Sequence, residues 1–545
     1  MTEEGAKPDG TISRRGFIAA GSAVGVGAIV LGTAACSSGS GGSASSSGAA
    51  SSGAATSAAP SPSDSIVRGG TLQFAVTDAN SSETLDPAIS AVTDDAAICA
   101  TLYEGLVRYN SNWELIPMLA ESWEVSPDAK TWTFKLREGV TFHDGTPVTP
   151  QDVIYSIGRN LDPELGSAIT ARLADSLDAS GMSAPDASTV QFALKRPDSL
   201  FGLVVGARQG FIVKDGTTDF SKGIGTGPFT LVSFTPGTGW EVAANPNYWN
   251  TGLPYLAGIR SVSIPEQATK VQSVVSGDSD VGDRMDATQV ATVTSSADAM
   301  VQTVANQNFL DIAMDSTQKP FDNPKVIMAM KLAAGREIML ATAQQSLGNV
   351  TSDCPAPADD PYFPLDTVGV RTPDPEAAKA MLAEAGYPDG IDVELFTSDV
   401  FGGLVDMAVT FAETVKPAGI RVSVNNYSPD TYWDDVWLKK PMYCSYYNRR
   451  HPNEALALTY FPKADWNEGR YDNPEIVKLC NEGMATTDQA KQIEVYKKAL
   501  ELVANEAGML IPYFIDTQWP TKKTVNGLIF DPSSSILFTE AWKSA

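Results

Sequence analysis

From Gly70 onward, apolar runs alternate with turn-forming residues, and two apolar periods occur. In Thr131–Leu136 (TWTFKL), Trp132, Phe134 and Leu136 alternate with Thr131, Thr133 and Lys135. A period of two puts the apolar set on one face, as in a strand with one covered side. Glu376–Ala385 (EAAKAMLAEA) reads as helix, and Gln489–Ala504 places Ile493, Tyr496, Leu500 and Val503 on one stripe of an amphipathic helix. Asn245–Asn247 (NPN) closes a strand-like segment with a turn. No self-similarity at solenoid periods is present. The pattern predicts a mixed α/β fold.

The amino end follows other rules. Ser13, Arg14, Arg15, Gly16, Phe17 and Ile18 precede an apolar and small-residue run from Ala19 to Ala35. SRRGFI resembles a twin-arginine export signal, so residues 1–35 are expected to be a signal peptide, and the run is short for a membrane span. Leu31–Cys36 (LGTAAC) resembles a lipobox with Cys36 as the acylated residue, although Thr33 stands where such boxes carry Leu. Residues 37–65 are nearly all Ser, Gly, Ala, Thr and Pro. That composition cannot build a core and makes 36–66 a flexible tether, spanning roughly 30 Å at about 5–6 Å times the square root of its length. The protein is expected on the outer face of the cell membrane, held by its lipid.

Length and charge narrow the rest. At 545 residues, two or three lobes are expected. Asp and Glu number 65 against 39 Lys and Arg, a net charge of −26 that argues against binding nucleic acid. Of the five cysteines, Cys99, Cys354, Cys444 and Cys480 remain once Cys36 is assigned to the anchor. Three two-disulfide pairings are possible, and a Cys444–Cys480 bond is one expectation.

Four segments carry a family resemblance: Leu119–Ser156, Gly225–Asn250 followed by Val271–Val281, Pro320–Leu340, and Asp374–Gly390. In the first, a turn at Pro127 and Asp128 joins two strands, and Thr149 ahead of Pro150 and Asp152 opens a helix. Together these resemble the family 5 extracellular solute-binding proteins, the oligopeptide, dipeptide and nickel binders of ABC importers. The resemblance implies a two-lobed α/β clamshell of the periplasmic-binding-protein type (class II). Lobe I would cover 67–305, with an inserted subdomain over about 109–219, and lobe II 306–508; residues 509–545 would return to lobe I. Ligand would bind between lobes that close about a hinge.

Peptide-binding members place an acidic residue on the segment matching Met442–Pro452, where this chain reads MYCSYYNRRHP. Arg449 and Arg450 could offer forked donors to a carboxylate or phosphate, and Tyr443, Tyr446, Tyr447 and Trp466 could supply flat walls. Asn467, Thr93, Asp94, Asn308 and Phe309 complete the expected cleft contacts, by position alone for the last two. The ligand would be a small peptide, or a peptide-like or anionic compound. Tyr103, Glu104 and His143 read as structural.

The sequence has no HExxH, GxSxG or phosphate-loop motif, and Gly223, Gly225 and Gly227 fail as a dinucleotide fingerprint because Pro228 stands where further glycine spacing is required. With two histidines and no CxxC, a metal site is not expected. Neither catalysis nor a cofactor is expected. A monomer serving ABC permease subunits is the leading reading, and a receptor presenting ligand to a membrane sensor is the alternative.

Overall fold

The computed structural model describes residues 66–530, 532 and 536–544. The signal peptide, Cys36 and nearly all of the tether lie outside the described residues. Among the described residues no helix is long and apolar enough to cross a membrane.

The chain opens with β1 (Thr71–Val76), a helix Thr93–Leu102 and the short hairpin β2 (Val107–Tyr109) and β3 (Leu115–Pro117). A separate four-stranded sheet follows: β4 (Ala120–Val125), β5 (Thr131–Leu136), β6 (Met182–Asp186) and β7 (Thr189–Ala193), ordered β4-β5-β7-β6. TWTFKL forms β5 as expected, with Trp132, Phe134 and Leu136 buried. Between β5 and β6 the helix Pro150–Arg159 begins at Thr149, whose N–H and hydroxyl donate to Asp152 at 2.7 and 2.6 Å.

The chain then builds β8 (Phe229–Thr235), β9 (Gly239–Ala244), β10 (Gly258–Ser263), helix Gln267–Ser276, β11 (Val281–Gly282) and the long β12 (Ala299–Met314). Beyond it lie β13 (Gly348–Val350), β14 (Ile391–Ser398), β15 (Ile420–Tyr427), β16 (Met442–Asn448) and the long β17 (Met509–Lys522). These strands form one sheet in the order β15-β14-β16-β12-β17-β11-β1-β10-β9-β8, with β13 added on β17. Helix Pro375–Glu384 starts one residue before the predicted stretch, and helix Gln489–Glu506 runs two residues past its own. On the latter, Tyr496, Leu500 and Val503 are buried as the stripe predicts, whereas Ile493 is only partly covered.

The sheet has two lobes of core. Leu72, Phe74, Trp240 and Ile259 centre one, and Leu310, Leu395, Phe411 and Met442 the other. Among the described residues, only β12 and β17 belong to both sides. Their antiparallel ladder breaks between Val304 and Asn308, where four positions of β12 span what two of β17 span, Thr517 to Ile515. Extra residues in one strand interrupt the ladder and bend it. At the bulge Asn306 adopts φ +56°, and its side chain donates to Asp359 at 3.0 Å and accepts from Asn349 at 3.0 Å. Its backbone N–H goes to Asp516 at 2.9 Å. The bulge is therefore a bend held through Asn306.

Three details settle sequence ambiguities. Gly225 and Gly227 lie against the end of helix Thr93–Leu102, where an added Cβ would stand 1.9 Å from the Leu102 carbonyl and 2.4 Å from that of Thr101. His143 bridges the same loop, its ring nitrogens 3.3 and 3.1 Å from the carbonyls of Gly223 and Gly227. The glycines serve close packing. The Cys444–Cys480 bond considered from sequence is not formed. Cys99, Cys354, Cys444 and Cys480 are buried free thiols, with Cys444 in the strand core of the second lobe and Cys480 in a separate cluster among helices.

The second lobe also buries charge. Arg336 holds Asp353 through two contacts of 2.9 and 2.8 Å, and Arg371 joins at 2.5 Å. Asp353 and Arg336 are all but inaccessible. Removing one member of such a group strands its partners' charges, which costs more than the group contributes over an apolar replacement. Asp353→Ala is expected to lower unfolding free energy by about 3–5 kcal/mol in urea titration. A loss below about 1 kcal/mol would show that the two arginines reach water.

Candidate ligand cleft

Strand directions locate the cleft. β17 runs from the second lobe into the first, and β11 pairs with it antiparallel, so β11 ends facing the second lobe. β1 is parallel to β11 and β10 is parallel to β1, so all three end there. Across the hinge, β16 is antiparallel to β12, and β14 and β15 run parallel to β16, so these three end facing the first lobe. Both lobes thus turn the carboxyl ends of their strands toward one gap, the general position of ligand sites in open α/β sheets.

The first-lobe rim comprises Thr77, Asp78, Thr93, Arg284 and Asp286. The Asp78 carboxylate accepts the Thr93 N–H at 2.7 Å, and Arg284 donates to the Thr93 hydroxyl at 3.0 Å. Burial, followed by the charge of Asp283, raises the Asp78 pKa. Asp94, one residue on, is fully buried and accepts from Trp240 Nε1 at 2.7 Å and Ser261 at 2.6 Å. Burial lifts its pKa to about 8 against the pull of those donors. Asp94 therefore braces the first lobe from inside and does not face the gap.

On the second-lobe side, alternation along β16 divides the candidates. Tyr447 stacks on Phe309 at 5.6 Å and lies 6.1 Å from Trp466. Tyr446, on the opposite face, stacks on Phe401 at 4.2 Å beside Trp433. Phe401 follows the end of β14, where the lobes approach: a Cβ built on Gly402 would stand 3.8 Å from the Asp286 carboxylate. Tyr443 sits deeper, fully buried in the second-lobe core. Asn467 braces a turn, donating to the carbonyls of Phe461 and Tyr471 and accepting the Tyr471 N–H. Asn308 pairs with Asn448 at the strand ends and keeps a buried Oδ1 without a partner.

The arginines are engaged within the chain. Arg449 donates to Asp360 at 2.7 Å, and its backbone N–H goes to the Gln307 carbonyl at 2.8 Å. Arg450 pairs with Glu454 at 2.9 Å, one helical turn on. His451 caps helix Pro452–Thr459 through Nδ1, which accepts the Asn453 N–H, and meets Trp113, Tyr362 and Tyr496 edge-on.

Trp113 and Asp360 were not foreseen as site residues. Trp113 stands on the β2–β3 turn with φ +66°, and its ring covers the Arg449 guanidinium at 5.4 Å. The lobes meet again where Ser199 N–H donates to the Met484 carbonyl at 2.8 Å and Gln492 donates to Ser199 Oγ at 3.0 Å. Leu200 beside it is buried in the second-lobe cluster. A cavity of about 250 Å³ lies elsewhere, bounded by Tyr103, Glu104, Arg108, Met118, Trp249 and Glu540. Glu104 there is fully bonded, accepting from Thr226, Tyr248 and Trp249 at 3.1, 2.7 and 2.8 Å, a structural role. Among the described residues no group of three or more His, Cys, Asp or Glu could hold a metal ion.

The fold and cleft define a two-lobed binding protein. Residues 114–468, more than half the chain, match the model of the bacterial extracellular solute-binding proteins, family 5 (middle region), and the chain belongs to that family of ABC-importer binding proteins. It is 26% identical over 500 residues to the glutathione-binding protein GsiB of Pectobacterium atrosepticum, covering 84% of this chain and 91% of that one. It is also 26% identical over 450 residues to heme-binding protein A of Haemophilus influenzae, covering 74% and 80%. Among solved structures, HbpA2 from Haemophilus parasuis superposes with a TM-score of 0.77 at 21% identity, covering 87% of this chain and all of that one. DppA from Helicobacter pylori, in complex with the peptide STSA, gives 0.70 at 21%, covering 88% and 99%. The chain is an exported binding protein and not an enzyme.

Burial, with the Arg172 and Arg449 cations nearby, holds the His451 pKa down to about 3. The unfolded chain binds that proton near 6.5, so this contribution to stability is present above pH 6.5 and lost as pH falls toward 3. The His451 imidazole signal is expected to stay that of the neutral ring from pH 7.5 to 5 by NMR. Wild type should also lose stability relative to His451→Asn below pH 6.5, at up to about 1.4 kcal/mol per pH unit. A midpoint above pH 6 would place the ring in water.

Proposed function

We propose that this chain is the substrate-binding lipoprotein of an ABC importer. Cys36 carries the lipid, residues 37–65 form the tether, and the folded body works as a monomer at the outer face of the cell membrane. Residues 67–305 and 509–545 make lobe I, with the insertion over about 109–219, and residues 306–508 make lobe II. A small solute, a peptide or a peptide-like or anionic compound, is captured between the lobes and delivered to the permease subunits.

The observation that carries this reading is the cleft itself: six strands from two lobes end on one gap, and among the described residues only the paired strands β12 and β17 cross it. The proposed contacts are Arg449, Tyr446, Tyr447, Trp466, Asn308, Phe309 and Thr93. The small organic ligands named for the relatives, glutathione, heme and a short peptide, support a cleft of this kind. Aromatic faces suit flat or extended solutes, because they bring large contact area with little entropy to lose.

Mass spectrometry of small molecules released by denaturing protein purified from its native host tests this. One compound or a narrow set, retained in near-stoichiometric amount and lost in Tyr446→Ala, is expected. Retention unaffected by Tyr446→Ala would place binding outside the cleft. Separately, Cys36→Ala is expected to shift the protein from the membrane fraction to the medium or soluble fraction, and unchanged fractionation would remove the anchor.

A further inference from the structure

Two hydrogen-bond donors stand on either side of the cleft with nothing to donate to. Trp113 Nε1 and Arg449 Nε are each buried and without a partner. Trp113 belongs to the β2–β3 turn, joined in sequence to the four-stranded sheet, and Arg449 follows β16 of the second lobe. They form one stacked pair, with the guanidinium carbon 5.4 Å from the indole. Buried N–H groups left unbonded are costly, so a native site normally supplies the acceptor. The 5.4 Å runs from the guanidinium carbon to the ring centre, and one oxygen at an ordinary hydrogen-bond length of about 2.7–3.2 Å from each nitrogen would join the two donors.

The local backbone is arranged for this. The Asn110 side chain accepts the N–H groups of Asn112 and Glu114 at 2.9 and 3.1 Å, and the Trp113 N–H donates to the Asn110 carbonyl at 2.9 Å. These bonds hold Trp113 at φ +66°, a conformation that a bulky residue adopts only when its surroundings impose it. The ring is thereby directed across the gap, onto Arg449 and the edge of His451 at 5.8 Å.

Charge decides what the oxygen is. Arg449 is already paired with Asp360, whose side chain is 2% exposed, so the pair is close to neutral. Arg450 is balanced by Glu454. A carboxylate placed here would bring an uncompensated negative charge into a buried site beside Asp360, whereas a neutral carbonyl would accept both bonds without one.

Resting on the reading of this cleft as the ligand site, we propose that Trp113 and Arg449 close on an uncharged carbonyl oxygen of the solute, such as that of an amide or peptide group. Because the donors come from opposite sides of the gap, occupying both requires the lobes to be closed. Capture and closure are then one event.

The test uses the full folded body with ¹⁵N-labelled indoles and two fragments, N-methylacetamide and acetate, titrated to the same concentration. Trp113→Phe assigns the indole signal and removes the N–H while keeping the ring. N-methylacetamide is expected to move the Trp113 signal saturably, with at least a fivefold weaker response in Arg449→Ala, and acetate to leave it in place. A stronger response to acetate overturns the neutral-carbonyl assignment, and no response to either fragment overturns the two-donor site. If the native-host experiment identifies a cleft ligand that lacks any carbonyl, the cleft stands and this inference falls.

Discussion

Everything in this molecule hangs on the pairing of β12 with β17. They are the two strands that carry the sheet from one lobe to the other, and their register shifts twice, at Ala305–Gln307 and again between Leu310 and Ile312. A continuous ladder would fix the angle between the lobes. A bulge with no compensating bonds would leave buried backbone groups unpaired. Asn306 meets both demands, because its left-handed backbone makes the bend and its side chain and N–H bond to Asp359, Asn349 and Asp516. Those partners come from three separate stretches of chain, so the bend is braced from several directions.

The same economy governs the two lobes. Each has an apolar core at the sheet, and each holds buried polar groups. In the first lobe these are carboxylates, among them Asp94, held near neutrality by burial and bonded to Trp240 and Ser261. In the second they are cation and carboxylate groups: Arg336, Arg371 and Asp353, and Lys331, which donates to the carbonyls of Ala504 and Ala507 and whose pKa burial lowers to about 7. Buried polar groups tie a lobe to one arrangement through the bonds they make, and among the groups named Asp94 Oδ2 and Arg336 Nε are the buried atoms without a partner. Rigid lobes are what a hinge needs, since motion is then confined to the strands that cross.

Much of this was legible in the chain. The β5 alternation, the Thr149–Pro150–Asp152 helix start and the buried stripe of helix Gln489–Glu506 are local patterns, and local chemistry suffices to produce them. The sites that sequence reading missed are of another kind. Trp113 looks like an ordinary exposed aromatic in a polar turn, and only its positive φ and its position opposite Arg449 give it a role. Asp360 lies 89 residues from the arginine it neutralises, a pairing that no periodicity reports. Asp94 shows the converse error: adjacency to a cleft residue suggested contact, but the next side chain along a helix points elsewhere, here toward Trp240.

Long-range electrostatics bears on which solutes can reach the gap. The chain carries a formal charge of −26, so the field around it is negative and slows the approach of anions, though salt confines that effect to about 8 Å at physiological ionic strength. An anion binder working against such a field needs an unpaired cation at the site to make up the difference. Arg449 and Arg450 are the cations that the sequence offers on the second-lobe rim, and each already faces a carboxylate. On the first-lobe rim, Arg284 stands among Asp78, Asp283 and Asp286, so that side does not supply a cationic surplus. What the gap does supply in excess is aromatic surface: Phe401 on Tyr446, Tyr447 on Phe309, and Trp433, Trp437 and Trp466 close by. Recognition in such a cleft rests on shape, stacking and single directed hydrogen bonds, interactions that act only at contact and that the surrounding negative charge leaves intact.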